Sequence, residues 1–136
     1  LHKAIRRQRQ MCIRDRYSYD KKEDKLTAVS NYNLPSKVQG VAFDDNGSIY
    51  LSTSYGRNNS SYLKVYSSLL SLDKKPNEPK VKVEMPPCSE EVAIADGTVF
   101  VLFESASAKY FEGTDGMGKS PAPIDKLLEV SVASIW

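Results

Sequence analysis

Residues 38–66 carry the clearest alternation of apolar and polar positions in the chain, and they predict three antiparallel strands. Apolar and β-branched residues form short runs, and the first run stops at Asp-Asp-Asn-Gly, residues 44–47. Asn-Gly is typical of a tight hairpin turn because it supplies two positions with positive φ. A polar segment without helical period separates the second run from the third. The predicted strands are residues 38–43, 49–53 and 62–66.

A weaker copy of this pattern returns about 50 residues later, a spacing typical of repeated β units. The matching segments are GVAF at 40–43 with EVAI at 91–94, Asn46-Gly47 with Asp96-Gly97, SIYL at 48–51 with TVFV at 98–101, and YLKV at 62–65 with KLLEV at 126–130. A strand ending in proline precedes each copy, at Pro35 and at Pro86-Pro87. Units of this length with four strands are typical of propeller blades.

We therefore predict an all-β fold, a partial β-propeller of about two four-stranded antiparallel blades. The blades span residues 36–87 and 88–136, and remnant strands occupy residues 17–35. A small β-sandwich of about seven or eight strands is the alternative that the pattern leaves open. Because a blade buries its faces against neighbouring blades, two blades are an incomplete stack, and we expect an N-terminally truncated protein. Within the first repeat, residues 67–79 are interpreted as a short turn and exposed loop.

The first sixteen residues differ in composition from the rest of the chain, since six of them are Lys or Arg. Residues 6–15 resemble a one-frame translation of a transposon-based sequencing adapter. We therefore predict that residues 1–16 are a non-native, disordered tail, and we leave them out of the interpretation of the fold. On this interpretation the true N-terminus lies upstream, and a signal peptide there would make the protein extracytoplasmic.

Removing this tail changes the charge and the available chemistry. The whole chain has a net charge of +2, but residues 17–136 hold 13 basic and 16 acidic residues, a net charge of −3. No basic surface is then expected for nucleic acid or for an anionic membrane. His2 and Cys12 both lie in the tail, so a Ser-His-Asp triad or a His-ligated metal site cannot be completed without it. Cys88 has no disulfide partner, and no apolar run is long enough for a transmembrane helix.

Two motifs suggest cofactor chemistry, but their context favours plain loops. Residues 113–120, GTDGMGKS, fit the phosphate-loop pattern, which requires a helix to begin at the Lys-Ser pair. Pro121 and Pro123 follow at once, so an inter-strand loop is expected. Residues 44–47 resemble the start of a calcium loop, but Tyr55 stands where the bidentate glutamate would be needed. We predict no cofactor and no metal ligands.

The segments VQGVAFDDNGSIYLSTSYGRNNSSYLKVY and MPPCSEEVAIADGTVFVLFESASAKY resemble the C-terminal blades of uncharacterised bacterial β-propeller proteins. More loosely, they are similar to the six-bladed SMP-30/gluconolactonase group. That resemblance implies a metal-dependent activity with carboxylate and Asn ligands spread over several blades. The positions of those ligands are not identifiable in this sequence, so only the strand pattern is carried over.

The loops after the second strand of each repeat are the candidate binding site, because equivalent loops of a propeller emerge on one face. The candidate ligand-binding residues are Gln39, Tyr55, Arg57, Glu91, Glu104 and Tyr110. The alternative is that Arg57 and Glu104 form a structural ion pair between blades. We predict a scaffold that binds an unknown small ligand or protein. The alternative is part of a metal-dependent SMP-30-like hydrolase or lactonase whose remaining ligands lie in missing blades, and catalytic residues are not assigned.

Overall fold

The computed structural model describes residues 12–136, which form short strands joined by turns and loops. The elements are β1 Cys12–Asp20, β2 Lys25–Leu34, β3 Val38–Phe43, β4 Ile49–Thr53, β5 Ser61–Tyr66, α1 Leu69–Lys74, β6 Val81–Met85, β7 Ser89–Ala95, β8 Thr98–Phe103, α2 Ala108–Phe111, β9 Leu128–Ser131 and a 3₁₀ turn at Val132–Ser134. Because strands dominate this part of the chain and both helices are short, the predicted all-β class is confirmed.

Within these residues the strands form three antiparallel sheets. The first sheet is the β1–β2 hairpin, the second has the order β3-β4-β5-β6, and the third has the order β7-β8-β9. The second sheet lies within residues 36–87 and the third within residues 88–136, the bounds of the two predicted repeats. The second sheet has the four expected strands. The third has three over the described residues 88–136, so the expectation of four strands is wrong for this repeat.

The hydrogen-bond register shows how closely the two repeats correspond. Val41 lies opposite Leu51 in the second sheet, and Val92 lies opposite Val101 in the third. Both first strands also carry an irregularity just before this pair. The third strands correspond less simply, because Lys64 lies opposite Leu51 whereas Leu128 lies opposite Val101. Lys64 therefore corresponds to Leu128 and Val65 to Glu129, which fixes the register within the matched segments 62–65 and 126–130.

The two predicted hairpin turns differ in the structure. Asp96 and Gly97 have φ values of 48° and 70° and join β7 directly to β8, as expected for a two-residue turn. The first turn is longer, since residues 44–48 separate β3 from β4. There Gly47 has a φ of 81°, and the Asp44 carboxylate accepts hydrogen bonds from the backbone N–H groups of Asn46 and Ser48. This side chain organises the turn, so a tight Asn-Gly turn is the wrong prediction at this position.

The main core lies between the second and third sheets. One face of the second sheet contributes Ala42, Tyr50, Leu63 and Val65, and the facing side of the third contributes Val92, Val99, Val101 and Phe103. The two sheets approach most closely at Gly40, where an added Cβ would lie 2.6 Å from the backbone nitrogen of Val92. Ser52 Oγ and Ser89 Oγ, both fully buried, lie 2.7 Å apart and link the sheets within this core.

A smaller core lies on the other face of the second sheet, where Ile49, Leu51, Tyr66 and Leu72 are buried together. Leu72 belongs to α1, so the prediction of an exposed loop over residues 67–79 is wrong in this segment. The helix begins because the hydroxyl of Ser68 accepts a hydrogen bond from the N–H of Ser71, while the hydroxyl of Ser71 accepts one from the N–H of Ser68. Burial of Leu72 against the sheet then stabilises the short helix.

The β1–β2 hairpin covers part of this second face. Residues 1–11 of the predicted tail lie outside the described residues, whereas residues 12–16 pair with residues 30–34 of β2, so a strand stands where disorder was expected. The register shifts between Arg16 and Tyr17, which is where the sequence places the end of the tail. The origin of residues 6–15 in an adapter stays a prediction.

Candidate functional site

Arg57, in the loop between β4 and β5, joins the two repeats at one end of the sheets. Its side chain is only 7% exposed and donates a hydrogen bond to the carboxylate of Asp115 at 2.5 Å. It also donates to the backbone carbonyl of Gly118, and its guanidinium lies 4.6 Å from the ring centroid of Tyr110. Arginine suits this place because its planar group can bond and stack at once. The guanidinium also lowers the pKa of Asp115, first through this hydrogen bond.

The loop that receives Arg57 is the segment with the phosphate-loop pattern. Gly113, Gly116 and Gly118 have φ values of 72°, 76° and 84°, a region in which glycine has no steric penalty. These glycines fold the segment into successive turns that aim Asp115 and the Gly118 carbonyl at Arg57. No helix begins at Lys119 in the described structure, as the prolines predict. The carbonyl of Gly118 accepts a hydrogen bond from Arg57, so this loop connects the two repeats.

A carboxyl pair lies beside this contact. Glu90 lies in the irregular part of β7, between the paired residues Ser89 and Val92, and Glu104 directly follows β8. Burial raises the pKa of Glu90 to about 7, and its hydrogen bond to Glu104 and the charges of Glu104 and Glu91 add to the effect, while Lys109 opposes it. Tyr110 also bonds to Glu104, which raises the pKa of its phenol. Near neutral pH the pair therefore presents a proton donor next to an acceptor.

The first repeat contains an equivalent contact. The register places Gln39 and Ser54 at the positions of Glu90 and Glu104. The Gln39 side-chain amide donates a hydrogen bond to the Ser54 carbonyl at 3.2 Å. In both repeats, the residue before the strand irregularity thus contacts the residue that follows the second strand. Both repeats have a contact at this position. In the first repeat a side-chain amide and a backbone carbonyl form it, and in the second repeat two carboxyl groups form it.

Cys88 lies under the carboxyl pair. Its side chain is buried, and its sulfur is 3.9 Å from the carbonyl oxygen of Gly56. Burial raises the pKa of the Cys88 thiol, and the charge of Glu104 raises it further. The protonated thiol is therefore a packed side chain and a poor nucleophile at neutral pH. Its φ of 65° places it in a tight connection between β6 and β7.

The structure brings together only part of the predicted site. Arg57, Glu104 and Tyr110 lie in one cluster, where Tyr110 contacts both of the others. Tyr55 is 62% exposed and lies under the Lys37 ammonium. Glu91 accepts a hydrogen bond from the N–H of Val92, and its charge contributes to the raised pKa of Glu90. The alternative of an Arg57–Glu104 ion pair is wrong, because the carboxylate that pairs with Arg57 is that of Asp115.

The sequence interpretation missed Glu90 and Asp115. Glu90 was open to prediction, because the alignment that pairs Gly40 with Glu91 also pairs Gln39 with Glu90. Asp115 was not, since it lies 58 residues from Arg57 in the chain and reaches it only through the turns around Gly116 and Gly118. No local signal in the sequence connects the two.

Two further observations limit the chemistry of the described residues. Within residues 12–136, no group of three or more His, Cys, Asp or Glu side chains is placed so that it could hold a metal ion. Over the same residues, every helix is too short or too polar to cross a membrane.

The chain matches no protein-family model, no curated protein and no solved structure with which it was compared. The resemblance to SMP-30-type propellers stays a prediction.

Proposed function

We propose that this chain is a tandem of β-propeller blades that acts as a binding scaffold for a small ligand or a protein partner. The observation that carries the proposal is the convergence of equivalent loops from two repeat sheets at one end of the stack, around the Glu90–Glu104 pair. Both the stacking of the sheets and the chemistry of the loop end support it.

The first step is that the outer face of the third sheet is an exposed copy of a face that is buried between the two sheets. Ala42 and Tyr50 of the second sheet pack against Val92 and its neighbours in the third. The register makes Ala93 and Phe100 their equivalents, and these lie on the outer face of the third sheet beside Leu102, which is 48% exposed. This outer face is therefore suited to a further sheet of the same kind.

The opposite end of the stack shows the complementary face. Val41 and Phe43 correspond to Val92 and Ile94, and they are 39% and 53% exposed. An apolar groove of about 630 Å³ lies over them, between the β1–β2 hairpin and the second sheet. This face is already covered in part, because Ile49 and Leu51, the equivalents of Val99 and Val101, are buried together with Leu72 of α1. The outer face of the third sheet is the surface that a further blade, or a second copy of the chain, would bury.

The second step concerns the loop end. Arg57 is occupied by Asp115 and Tyr110, so it fixes the shape of this end and is not free to bind a ligand. Glu90 and Glu104 remain half-buried, and burial raises the pKa of Glu90 to about 7. A fixed donor and acceptor side by side suit the hydroxyl or amide groups of a neutral polar ligand. The proposed binding face is therefore built by one repeat and held in place by the other.

A fragment screen by ¹H–¹⁵N NMR tests the binding face. We expect polar neutral fragments to shift amides of residues 54–57, 88–91 and 104–112, and we expect Glu104→Gln to weaken these responses at least about threefold. Glu129→Gln is the matched control, because Glu129 is an exposed glutamate on β9 away from the loops. Hits that map elsewhere, or that are equally strong in Glu104→Gln, would refute the proposed face. Stabilisation by millimolar Ca²⁺ would instead favour the metal-dependent alternative.

Analytical ultracentrifugation tests the stacking step separately. If the outer face of the third sheet is a stacking surface, the chain should associate as its concentration rises, and Leu102→Glu should weaken this association at least about tenfold. Leu70→Glu is the control, since Leu70 is 61% exposed on α1 and is not part of the repeated face. Equal association of the two variants would count against the blade interpretation without affecting the NMR result.

A further inference from the structure

A cavity of about 400 Å³ lies at the loop end of the second sheet, on the face opposite to the one that packs against the third sheet. Three lysines from three different segments line it. Lys37 comes from the connection between β2 and β3, Lys64 from β5 and Lys82 from β6. Two tyrosines complete the wall, and the other described lining residues are Ser, Thr and Asn, with no acidic residue among them. The cavity is therefore polar and positively charged.

Two of these lysines face each other across neighbouring strands. Lys64 and Lys82 are direct register partners in β5 and β6, and like charges in this position are destabilising. Lys64 is half-buried, and its pKa is lowered by burial and then by repulsion from Lys82. Over residues 12–136, neither lysine takes part in an ion pair. Glu84, the nearest acid along β6, accepts a hydrogen bond from Ser60.

Tyrosine rings contact the ammonium groups of Lys37 and Lys82 and hold them in place. The Lys37 ammonium lies 3.9 Å from the centroid of the Tyr55 ring, and the Lys82 ammonium lies 3.9 Å from that of Tyr62. These contacts fix the positive charges around the mouth of the cavity before a ligand arrives. Each ammonium offers three hydrogen-bond donors and no acceptor. Repulsion between the lysines lowers the stability of the protein without a ligand, and a bound anion would offset this repulsion.

We propose that the pocket formed by Lys37, Lys64 and Lys82 binds the dianionic phosphate group of a small molecule. Lysine binds phosphate as a point charge, and three lysines around one cavity match a dianion better than a single negative charge. The volume lies in the range of small-molecule sites, and strands of the second sheet form one wall of the cavity. This inference goes beyond the proposed scaffold and does not depend on the blade architecture.

Inorganic phosphate is the test probe, and the readout is the melting temperature at low, constant ionic strength, because salt screens these charges. We expect 20 mM phosphate to raise the melting temperature of the wild-type chain by at least about 3 °C. In the double variant Lys64→Met/Lys82→Met, phosphate should raise the melting temperature by much less than in the wild type. Without phosphate, the same variant should melt at the wild-type temperature or above it, since the repulsion between the two lysines is gone.

The matched control is Lys21→Met/Lys22→Met, which removes the same charge from the exposed turn between β1 and β2. We expect this control to respond to phosphate as the wild type does. An equal phosphate response in Lys64→Met/Lys82→Met, or no response in the wild type, would overturn the site. An equal rise with succinate would overturn the assignment to phosphate. NMR shifts on phosphate addition should fall on residues 36–37, 53–55 and 82, and shifts confined to other residues would also overturn it.

Discussion

Gly40→Ala tests the closest approach of the two repeat sheets. Gly40 lies in β3 where this strand crosses β7, and its φ is not in the left-handed region, so a substitution there adds only volume. An ideal Cβ would lie 2.5 Å from Glu91 Oε1, 2.6 Å from Val92 N and 2.8 Å from Glu91 Cα. The carboxylate can rotate away, but the other two atoms belong to the backbone of β7.

The size of the effect follows from these contacts. Because two backbone atoms block the added methyl group, the sheets must separate by several tenths of an ångström, and the apolar contacts between them weaken. Overpacking of a close-packed core costs about 1–3 kcal/mol, and a clash with backbone places this variant near the upper end. For a domain of this size we expect the melting temperature to fall by roughly 10 °C.

Trp136 fluorescence during thermal and urea unfolding is a suitable assay. Trp136 is the single tryptophan, and its indole N–H donates a hydrogen bond to the hydroxyl of Tyr50, a residue of the central core. Gly47→Ala is the control, since its Cβ would meet nothing within 4 Å, although its φ of 81° costs about 1 kcal/mol. If Gly40→Ala is no less stable than Gly47→Ala, the described contact between the sheets is wrong.

Three further changes test other parts of the molecule. Arg57→Met leaves Asp115 unpaired and should lower the melting temperature by at least about 5 °C, whereas Lys75→Met, at an ion pair whose side chains are 65% and 68% exposed, should lower it by less than about 2 °C. The folded-state pKa of Glu90, about 7, lies above its ordinary value of 4.5, so wild-type stability should fall as the pH rises between these values. Urea titrations of Glu90→Gln should lack this fall, and a fall as large as that of the wild type would contradict the raised pKa. Removing residues 1–16 should lower the melting temperature by no more than about 3 °C, because the described cores draw on residues 34–135, and a larger loss would contradict the interpretation of this segment as a non-native tail.

The sequence predicted those features that local chemistry determines. Alternation at period two located the strands, and the repeat of that alternation paired Val41 with Val92. The dipeptide Asp96-Gly97 predicted its turn correctly because both residues adopt positive φ. The same reasoning failed at Asn46-Gly47, where the Asp44 side chain offers the backbone a different set of hydrogen bonds.

Features that depend on distant packing were not accessible in this way. The α1 helix has a local start signal at Ser68, but it is too short to be stable alone, and burial of Leu72 against the second sheet decides its conformation. The partner of Arg57 could not be predicted either, because the position of Asp115 depends on a glycine-rich loop from the other repeat. In both cases the determining contact joins segments for which the sequence contains no common pattern.

Equivalent positions in the second and third sheets differ in their surroundings and in their charge. Ala42 and Ala93 are the same residue type, but Ala42 is buried between the sheets whereas Ala93 lies on the exposed outer face of the third sheet. Gln39 corresponds to Glu90 at the loop end, and Lys64 corresponds to Leu128. An apolar interface between sheets does not require either difference in charge, and both fall at the polar sites proposed here.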